Sequence, residues 1–558
     1  MKKWVSLILI LFLSFFAVKP LISKGYFPIH DDTQVSRVIV MGNALKEGQF
    51  PVRIVSDLGY GLGYPLFNFY GPLPYYVGGF FYAIGVDSVV ATKIMFVIGT
   101  VIAPITLFLL LVPVFGHMAA VAGAMLFLYA PYHAVQIYIR GSVGEYWAIA
   151  FVPLILYGLL RAVKGKNPLQ GIGISSIALA ATILSHTILG FLTCIGLGIG
   201  IGVYFIILII QKRFSKRVVL VPVSAVVLGL LLSAFFWIPA MMEVSHTTVS
   251  QMVTGASTTF FDHFVCLSQF WNSPWGFAGS APGCVDGMSF KFGKVQLIIA
   301  GLSLGFLFLL RKSKQMKDKN SFMRITMGAM LVLIFLMLSV SAFVWNMFPF
   351  TSVIQYPWRL LTYGMMGLAI CGAYFVSSFR IPLLRISIAV GIIAVTLFVN
   401  AKIFVPQYTY ERSSSEFERF EELRFTQSKI SDEYLPPEIM RPSTGSDVTK
   451  TTVSGSNTFL IRRLVEKTTA LLVEIETVNA QDITVQKAWF PGWKVSVNGK
   501  KVEPRVTQGL PTVMIPQGVS IIEMQFSNTP VRTVANWLSI VGICMVGALY
   551  VYGKKTNA

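Results

Sequence analysis

The sequence contains a dozen apolar runs of the length that crosses a lipid bilayer. A membrane-spanning helix needs about 20 mostly apolar residues. Only 13% of the residues are charged, whereas soluble domains carry about 25%. The pattern predicts a polytopic α-helical membrane protein with about 12 transmembrane helices. The runs lie near 4–23, 88–112, 117–138, 146–163, 169–187, 190–210, 218–240, 294–310, 323–347, 358–378, 382–402 and 534–552. A shorter run, 73–86, is either re-entrant, interfacial or the start of the second span.

Lysine and arginine are distributed unevenly among the loops between these runs. They cluster at residues 2–3, 161–166, 212–217, 311–324, 380–385 and 554–555, whereas the alternate short loops carry only Arg140 and Arg359. Because positively charged loops remain on the cytoplasmic side, we expect a multi-pass plasma-membrane protein with both termini in the cytoplasm. The same clustering explains the net charge of +20, so the expected partner is the lipid bilayer and not nucleic acid.

The predicted topology divides the chain into three parts. The first run follows Lys2 and Lys3 and has no small-x-small cleavage site after it, which indicates a retained signal anchor. Residues 1–402 form the transmembrane domain, with outer loops at 24–87 and 241–293. Residues 403–532 form an extracytoplasmic, mostly β domain, and residues 533–558 form the last helix and a cytoplasmic tail.

Two local patterns concern the predicted extracytoplasmic side. Short β-rich runs fill the later part of residues 403–532, and Asn498-Gly499 between "WKVSV" and "KKVEP" is a strong hairpin signal. We expect a small antiparallel β-sandwich there. Cys266 and Cys284 share one long outer loop. In an oxidising compartment they could form a disulfide, the alternative being two free thiols.

Two adjacent acids follow the first span, in the sequence His30-Asp31-Asp32. One interpretation is a helix cap: Asp31 and Gln34 have capping-box spacing, and the residues after them could form an amphipathic helix on the membrane surface. A cap requires only one acid. The loop continues with Asp57 in a segment rich in glycine, proline and tyrosine, which suits a ligand pocket better than a spacer.

Further ionisable residues lie at the predicted outer ends of other spans. Ionisable groups at membrane depth are costly and tend to mark function. Each has a structural alternative: a histidine can be a core residue, Arg359 can reach lipid headgroups, and Arg140 can pair with Glu145. As a group, the acids could act as a base or as metal ligands, and the cations could hold a phosphate. The residues are Tyr132, His133, Arg140, Glu145, His186, Glu243, His246 and Arg359.

Several motifs resemble a known group of membrane proteins. The segments "HDD", "YGLGYPLFNFYGPLPYY", "GEYWA", "LSHT", "QYPWRL" and "DEYLP" are similar to the bacterial and archaeal proteins named 6-pyruvoyl-tetrahydropterin-synthase-related. "AWFPGWKVSVNGK" resembles the outer domain of the YfhO-like proteins. The span pattern with its acidic first loop resembles the GT-C superfamily of membrane glycosyltransferases.

The resemblance implies a sugar donor linked to polyprenyl phosphate and a glycan, lipid or protein acceptor at the extracytoplasmic face. It implies that Asp31 or Asp32 is the general base or a ligand of a divalent cation such as Mg²⁺ or Mn²⁺, although some members need no metal. The other candidates for binding substrate or phosphate are His30, Asp57, Arg140, Glu145, His186 and Arg359.

Two other functions fit the same pattern. One is a non-catalytic transporter or scaffold that handles lipid or polymer during envelope assembly. A transporter is expected to show internal repeats and helices broken near the middle of the bilayer. The sequence shows no convincing repeat and places its polar residues at one face, which favours an enzyme. The other is a GT-C-like scaffold that binds donor lipid without catalysing transfer, since a fold does not by itself imply an activity.

Overall fold

A computed structural model describes residues 3–164, 167–249, 260–348 and 351–555. Lys2, Lys166 and part of the loop 241–293 therefore lie outside the described residues. The helices of eight or more residues are α1 Lys3–Ile22, α2 Gln34–Lys46, α3 Leu73–Ala83, α4 Ser88–Phe115, α5 His117–Leu128, α6 Pro131–Tyr138, α7 Val143–Lys164, α8 Pro168–Ser185, α9 Thr187–Ile210, α10 Lys216–Leu232, α11 Ala234–Glu243, α12 Lys294–Leu309, α13 Lys317–Met337, α14 Leu361–Ser377, α15 Pro382–Asn400 and α16 Pro530–Lys555. Short helical turns lie at Leu66–Phe69, Val244–His246, Phe260–His263, Leu267–Phe270, Lys314–Met316, Ser339–Ser341, Ala342–Met347, Thr351–Ile354, Pro357–Leu360, Ala401–Ile403, Ser414–Phe417, Glu422–Gln427, Ser428–Ile430 and Gly445–Asp447.

Every predicted span corresponds to a helix or to a bent pair of helices. In the described residues, nine helices are long and apolar enough to cross a membrane, and two bent pairs raise the number to eleven. The pairs are α5 with α6, bent by 47°, and α10 with α11, bent by 69°. Pro131 explains the first bend because proline has no N–H to continue the helix. The remaining predicted span, α12, has 16 residues.

The ends of the helices define two faces of the bundle. We call the face that bears residues 403–529 the domain face. On the opposite face, the loops predicted to be cytoplasmic meet in pairs: Ser6 contacts His117, Asn167 donates to Gly553, and Lys319 donates to Ser377. The lysine-rich loops therefore lie away from the β domain.

The helix predicted after Asp32 exists, but its predicted position on the membrane surface is wrong. Residues 34–42 of α2 are buried on every side. Gly42 and Gly79 allow α2 to pack closely on α3, since a methyl group at Gly42 would lie 2.8 Å from the carbonyl of Gly79. The capping box is also absent. Thr33 is the N-cap residue without a side-chain bond, and Gln34 instead bonds to Gly141 and Tyr75.

The C-terminal domain consists of two antiparallel sheets. The strands are β1 Val453–Gly455, β2 Phe459–Lys467, β3 Ala470–Thr477, β4 Gln481–Val485, β5 Trp493–Val497, β6 Lys500–Val502, β7 Arg505–Thr507, β8 Leu510–Ile515 and β9 Gly518–Phe526. The sheet orders are β1-β4-β8-β7 and β2-β3-β9-β5-β6. Their inner faces share one apolar core that includes Val473, Ile483, Val495 and Ile515. Asn498 and Gly499 have φ of 51° and 76°, which fits the predicted hairpin turn. The predicted fold class, a polytopic helical protein with a C-terminal β domain, is confirmed.

Candidate functional site

Backbone contacts place the first acidic motif against the end of α6. The amides of His30 and Asp31 donate to the carbonyls of Ile139 and Arg140, at 2.9 and 3.0 Å. Gly141 has φ of 62°, and a methyl group there would lie 2.4 Å from the side chain of Ile29. Glycine is therefore needed at this position for the two loops to meet. The contact brings Asp31 next to Arg140 although they are distant in sequence.

A buried glutamate joins two arginines at the start of α7. Glu145 accepts bonds from both terminal nitrogens of Arg140, one at 2.9 Å, and from Nε of Arg359 at 3.1 Å. Glu145 is 1% exposed, and the two arginines are 9% and 7% exposed. One carboxylate between two guanidinium groups leaves one net positive charge. The ion pair and the phosphate site that the sequence offered as alternatives therefore involve the same residues.

Two stacked aromatic rings pack against the two arginines. Tyr356 and Trp358 stack with their ring centres 4.8 Å apart. The guanidinium of Arg359 lies over Tyr356 at 4.8 Å, and that of Arg140 lies over Trp358 at 4.7 Å. Such cation–π contacts fix the planes of the guanidinium groups. The hydrogen bonds of Arg359 in the described chain use Nε and Nη1, so Nη2 is available to donate to a ligand.

The turn that carries His186 lies between two glycines. A methyl group at Gly71 or Gly144 would lie 2.3 or 2.6 Å from the carbonyl oxygen of Ser185. His186 accepts the amide of Leu189 at Nδ1, at 3.2 Å. In the neutral ring the proton is therefore on Nε2, which can donate to an anion. His186 lies within electrostatic range of Glu145 and both arginines.

The two adjacent aspartates have different neighbours. Asp31 interacts electrostatically with Arg140 and Tyr70. Asp32 instead lies near Arg412 and Glu422, in the segment that leads into the β domain. Burial raises the pKa of Asp32 to about 7, with Arg412 lowering it and Glu422 raising it. Of the two aspartates, Asp31 is the one within electrostatic range of Arg140.

This arrangement does not fit a divalent metal centre. A Mg²⁺ or Mn²⁺ site requires several oxygen ligands that converge on one point. Asp31 and Asp32 have different neighbours, and no group of three acids, histidines or cysteines with metal-binding geometry occurs among the described residues. We therefore derive no step that uses a metal.

The loop over residues 260–293 contacts the site through His30. Nε2 of His30 bonds to the carbonyl of Phe277 at 2.9 Å, and Trp358 donates to Ser280 at 3.1 Å. Cys266 and Cys284 form a disulfide within this loop, with a Cα–Cα distance of 5.7 Å. The loop therefore covers the "QYPWRL" motif and is braced by a covalent link. His30 is exposed.

Other residues considered in the sequence lie away from the cluster. Asp57 pairs with Arg424 at 3.1 Å in a separate cleft of about 330 Å³. Glu243 pairs with the fully buried Arg532 at 2.9 Å and joins α11 to α16. His133 is buried in the bundle core, stacked on Phe127, and His246 packs against Phe490. Tyr132 does belong to the cluster, since its hydroxyl accepts from Arg140 at 3.3 Å.

Sequence analysis did not identify a second polar group beside Asp31. Arg37 on α2 lies 4.1 Å from the ring centre of Tyr70 and donates to Ser431 at 3.0 Å. Burial raises the pKa of Glu433, whereas the charge of Arg37 lowers it. The available signal was the "DEYLP" motif, which contains Glu433, but nothing in the sequence paired it with α2.

Comparisons with known proteins give one family and several remote structural similarities. Arabinofuranosyltransferase AftD from Mycobacteria aligns with TM-score 0.48 and 14% identity, covering 74% of this chain and 28% of its own. The oligosaccharyltransferase AglB from Archaeoglobus fulgidus, in complex with an inhibitory peptide and a dolichol-phosphate, gives 0.45 and 14%, covering 75% and 57%. ArnT from Cupriavidus metallidurans, bound to undecaprenyl phosphate, gives 0.33 and 10%, covering 72% and 88%. No curated protein sequence matches significantly.

The chain thus spans less than two thirds of the first two solved structures. The family match covers residues 67–397, which is more than half of the 558 residues and includes α3 to α15 except for the end of α15. It contains Arg140, Glu145, His186 and Arg359. This protein belongs to the family of membrane proteins with a 6-pyruvoyl-tetrahydropterin synthase related domain.

Proposed function

We propose that this protein is a membrane glycosyltransferase that moves a sugar from a polyprenyl-phosphate-linked donor to an acceptor hydroxyl on the domain face. That face is extracytoplasmic in the proposed topology, with both termini in the cytoplasm. The observation that carries the proposal is the buried pair Arg140 and Arg359, held by the single carboxylate of Glu145 beside Asp31. The span pattern with its acidic first loop resembles GT-C glycosyltransferases, which supports the same reaction class.

The arginine pair suits a phosphate that is leaving the sugar. Guanidinium groups match phosphate oxygens with two parallel N–H bonds. Glu145 neutralises only one of the two positive charges, and Nη2 of Arg359 has no bond to the described protein. Nε2 of His186 adds a neutral donor. Because these groups are buried and already oriented, they stabilise developing negative charge without reorganising.

Asp31 is the proposed general base. The acceptor oxygen forms a bond to the anomeric carbon while the bond from that carbon to the phosphate oxygen breaks. The acceptor proton passes to Asp31, and the polyprenyl phosphate leaves with the bonding electron pair. Base catalysis of this kind contributes about 10²–10⁴-fold. Asp31 is preferred to Asp32 because its backbone pairs with Arg140 and its charge acts on that arginine, whereas Asp32 has Arg412 and Glu422 as charged neighbours.

The location at a membrane face suits a lipid donor and a polar acceptor. Positioning two such reactants together removes much of the entropic barrier. The covering loop 260–293 and the β domain both lie over this face and could exclude water from it.

The test is release of polyprenyl phosphate from a panel of polyprenyl-phosphate sugars by the purified full-length chain in lipid. Asp31→Asn is expected to lower turnover by at least about a hundredfold, with expression and melting temperature unchanged. Asp32→Asn is expected to lower it less than about tenfold. Asp57→Asn is the matched control, because it makes the same change in the same loop but in another cleft.

Each outcome distinguishes one interpretation. Full activity of Asp31→Asn with loss in Asp32→Asn would transfer the base role to Asp32. Full activity of both variants would refute the proposed mechanism. Tight binding of polyprenyl phosphate without release from any donor would favour the scaffold that binds lipid without catalysis.

A further inference from the structure

Three lysines, Lys291, Lys294 and Lys402, cluster on the domain face. Lys291 precedes α12, Lys294 begins α12, and Lys402 follows α15. The ends of the two helices are held side by side, because Gln296 and Asn400 bond to each other at 3.3 Å and both donate to the carbonyl of Tyr129. The lysines therefore occupy one patch at the membrane boundary.

The patch has no acidic partner among the ion pairs of the described chain. None of those pairs includes Lys291, Lys294 or Lys402. By contrast, Arg140, Arg359, Arg412 and Arg424 on the same face are all paired with acids. Burial, together with the charges of Lys294 and Lys402, lowers the pKa of Lys291. The patch is thus an uncompensated concentration of positive charge.

Two tryptophans flank the lysines. The ammonium of Lys291 lies 5.4 Å from the ring centre of Trp275, and that of Lys294 lies 5.7 Å from that of Trp271. Trp271 is 45% exposed. Tryptophan favours the depth of the lipid headgroups because one edge of its ring is polar and the body is apolar. The two rings therefore indicate that the patch lies at headgroup depth.

The helix surfaces beneath the lysines are apolar and exposed. One turn below Lys294 lies Ile298, which is 53% exposed, and one turn below Lys402 lies Phe398, which is 86% exposed. Residues four apart share one helix face. A methyl group added at Gly301 or Gly391 would have no protein atom within 4 Å, so the surface of each helix is open at that point. Cations above an open apolar surface match the two parts of a phospholipid.

We propose that Lys291, Lys294 and Lys402 bind the phosphate headgroup of an anionic phospholipid in the leaflet on the domain face, with its acyl chains against α12 and α15. Basic residues near a bilayer surface attract anionic lipid by about 1 kcal/mol each. The site is separate from the Arg140–Glu145–Arg359 cluster and does not depend on glycosyl transfer.

The experiment is native mass spectrometry of the full-length chain with phosphatidylglycerol or phosphatidylcholine of the same acyl chains. Wild type is expected to bind phosphatidylglycerol more tightly, and Lys291→Gln/Lys294→Gln/Lys402→Gln is expected to lower that affinity by about tenfold to a hundredfold. The matched control removes three exposed lysines from the β domain, as Lys494→Gln/Lys500→Gln/Lys501→Gln, and should retain the preference.

A competition measurement separates the lipid from soluble anions. Excess inorganic phosphate should leave phosphatidylglycerol binding nearly unchanged, because the apolar surface contributes to the affinity. Displacement by inorganic phosphate alone would show a soluble-anion site and overturn the proposal. An unchanged preference in the triple variant, or an equal loss in the control, would overturn it as well.

Discussion

Glu145→Gln tests the electrostatic argument for the arginine cluster. The substitution keeps the size of the side chain and removes its charge. It leaves Arg140 and Arg359 without the one carboxylate that bonds to both, in surroundings where each arginine is less than one-tenth exposed. The amide offers one acceptor oxygen where the carboxylate offered two, and its NH₂ group points donors at donors. We expect the variant to fold with reduced stability.

The size of the effect follows from burial. Removing one partner of a buried ion pair costs about 3–5 kcal/mol. Unfolding entropy of about 2.1 cal/mol/K per residue over 558 residues amounts to about 1.2 kcal/mol/K. The expected fall in Tm is therefore about 3–4 °C. Arg140→Gln/Glu145→Gln should recover part of this loss because it restores a single positive charge.

The assay is thermal unfolding of the purified chain, followed by size-exclusion chromatography after heating. Glu476→Gln is the control: Glu476 pairs with Arg462, but the two side chains are 41% and 47% exposed. Exposed pairs contribute about 1 kcal/mol or less, so its Tm should hardly change. Equal effects of the two substitutions, or a double variant less stable than Glu145→Gln, would refute the reasoning.

Three other predictions concern neighbouring features. Burial raises the pKa of Asp32 to about 7, so the folded state keeps a proton that the unfolded chain loses near pH 4. Wild type should therefore lose stability relative to Asp32→Asn as pH rises from about 4 through about 7. A Tm difference between the two proteins that does not change with pH would contradict this. The disulfide bridges a sequence separation of 18 residues, so Cys266→Ser/Cys284→Ser should lower stability by about 3 kcal/mol. The variant should also be cleaved faster by proteases within residues 260–293. An unchanged cleavage rate would contradict this prediction. Gly71→Ala would bring a methyl group to 2.3 Å from the Ser185 carbonyl oxygen and should lower turnover by about tenfold to a hundredfold. Gly547→Ala is the control and should leave turnover unchanged, because open space surrounds that position. Equal activities of the two variants would contradict the packing argument.

Features fixed by local patterns were predictable from the sequence. The spans follow from the length and polarity of the apolar runs, and the hairpin at Asn498-Gly499 follows from the backbone preferences of those two residues. The bends at Pro131 and near Ser233 were not foreseen, although a proline at residue 131 was an available signal. The surface position predicted for α2 failed because α3, α4 and the segment around Ser431 pack against this helix. The helix pattern alone cannot show such packing.

Features fixed by long-range pairing were only partly predictable. Arg140, Glu145, His186 and Arg359 were expected on a common side of the membrane. The bonds that join both Arg140 and Arg359 to Glu145, with His186 in electrostatic range, were not predicted. Nothing local distinguishes Asp31 from Asp32, since their difference arises from Arg140 on one side and Arg412 on the other. Asp57 is paired with Arg424, 367 positions away, a contact that no sequence spacing reveals.

The central claim is that a lipid phosphate binds to Arg140 and Arg359, at the donors that Glu145 does not occupy. The most direct measurement is a cryo-EM structure of the full-length chain with polyprenyl phosphate, paired with binding titrations of wild type and Arg359→Gln. We predict phosphate density within hydrogen-bond distance of both guanidinium groups and of Nε2 of His186, and at least about tenfold weaker binding by the variant. Phosphate density elsewhere on the chain, with equal affinities for the two proteins, would contradict the claim.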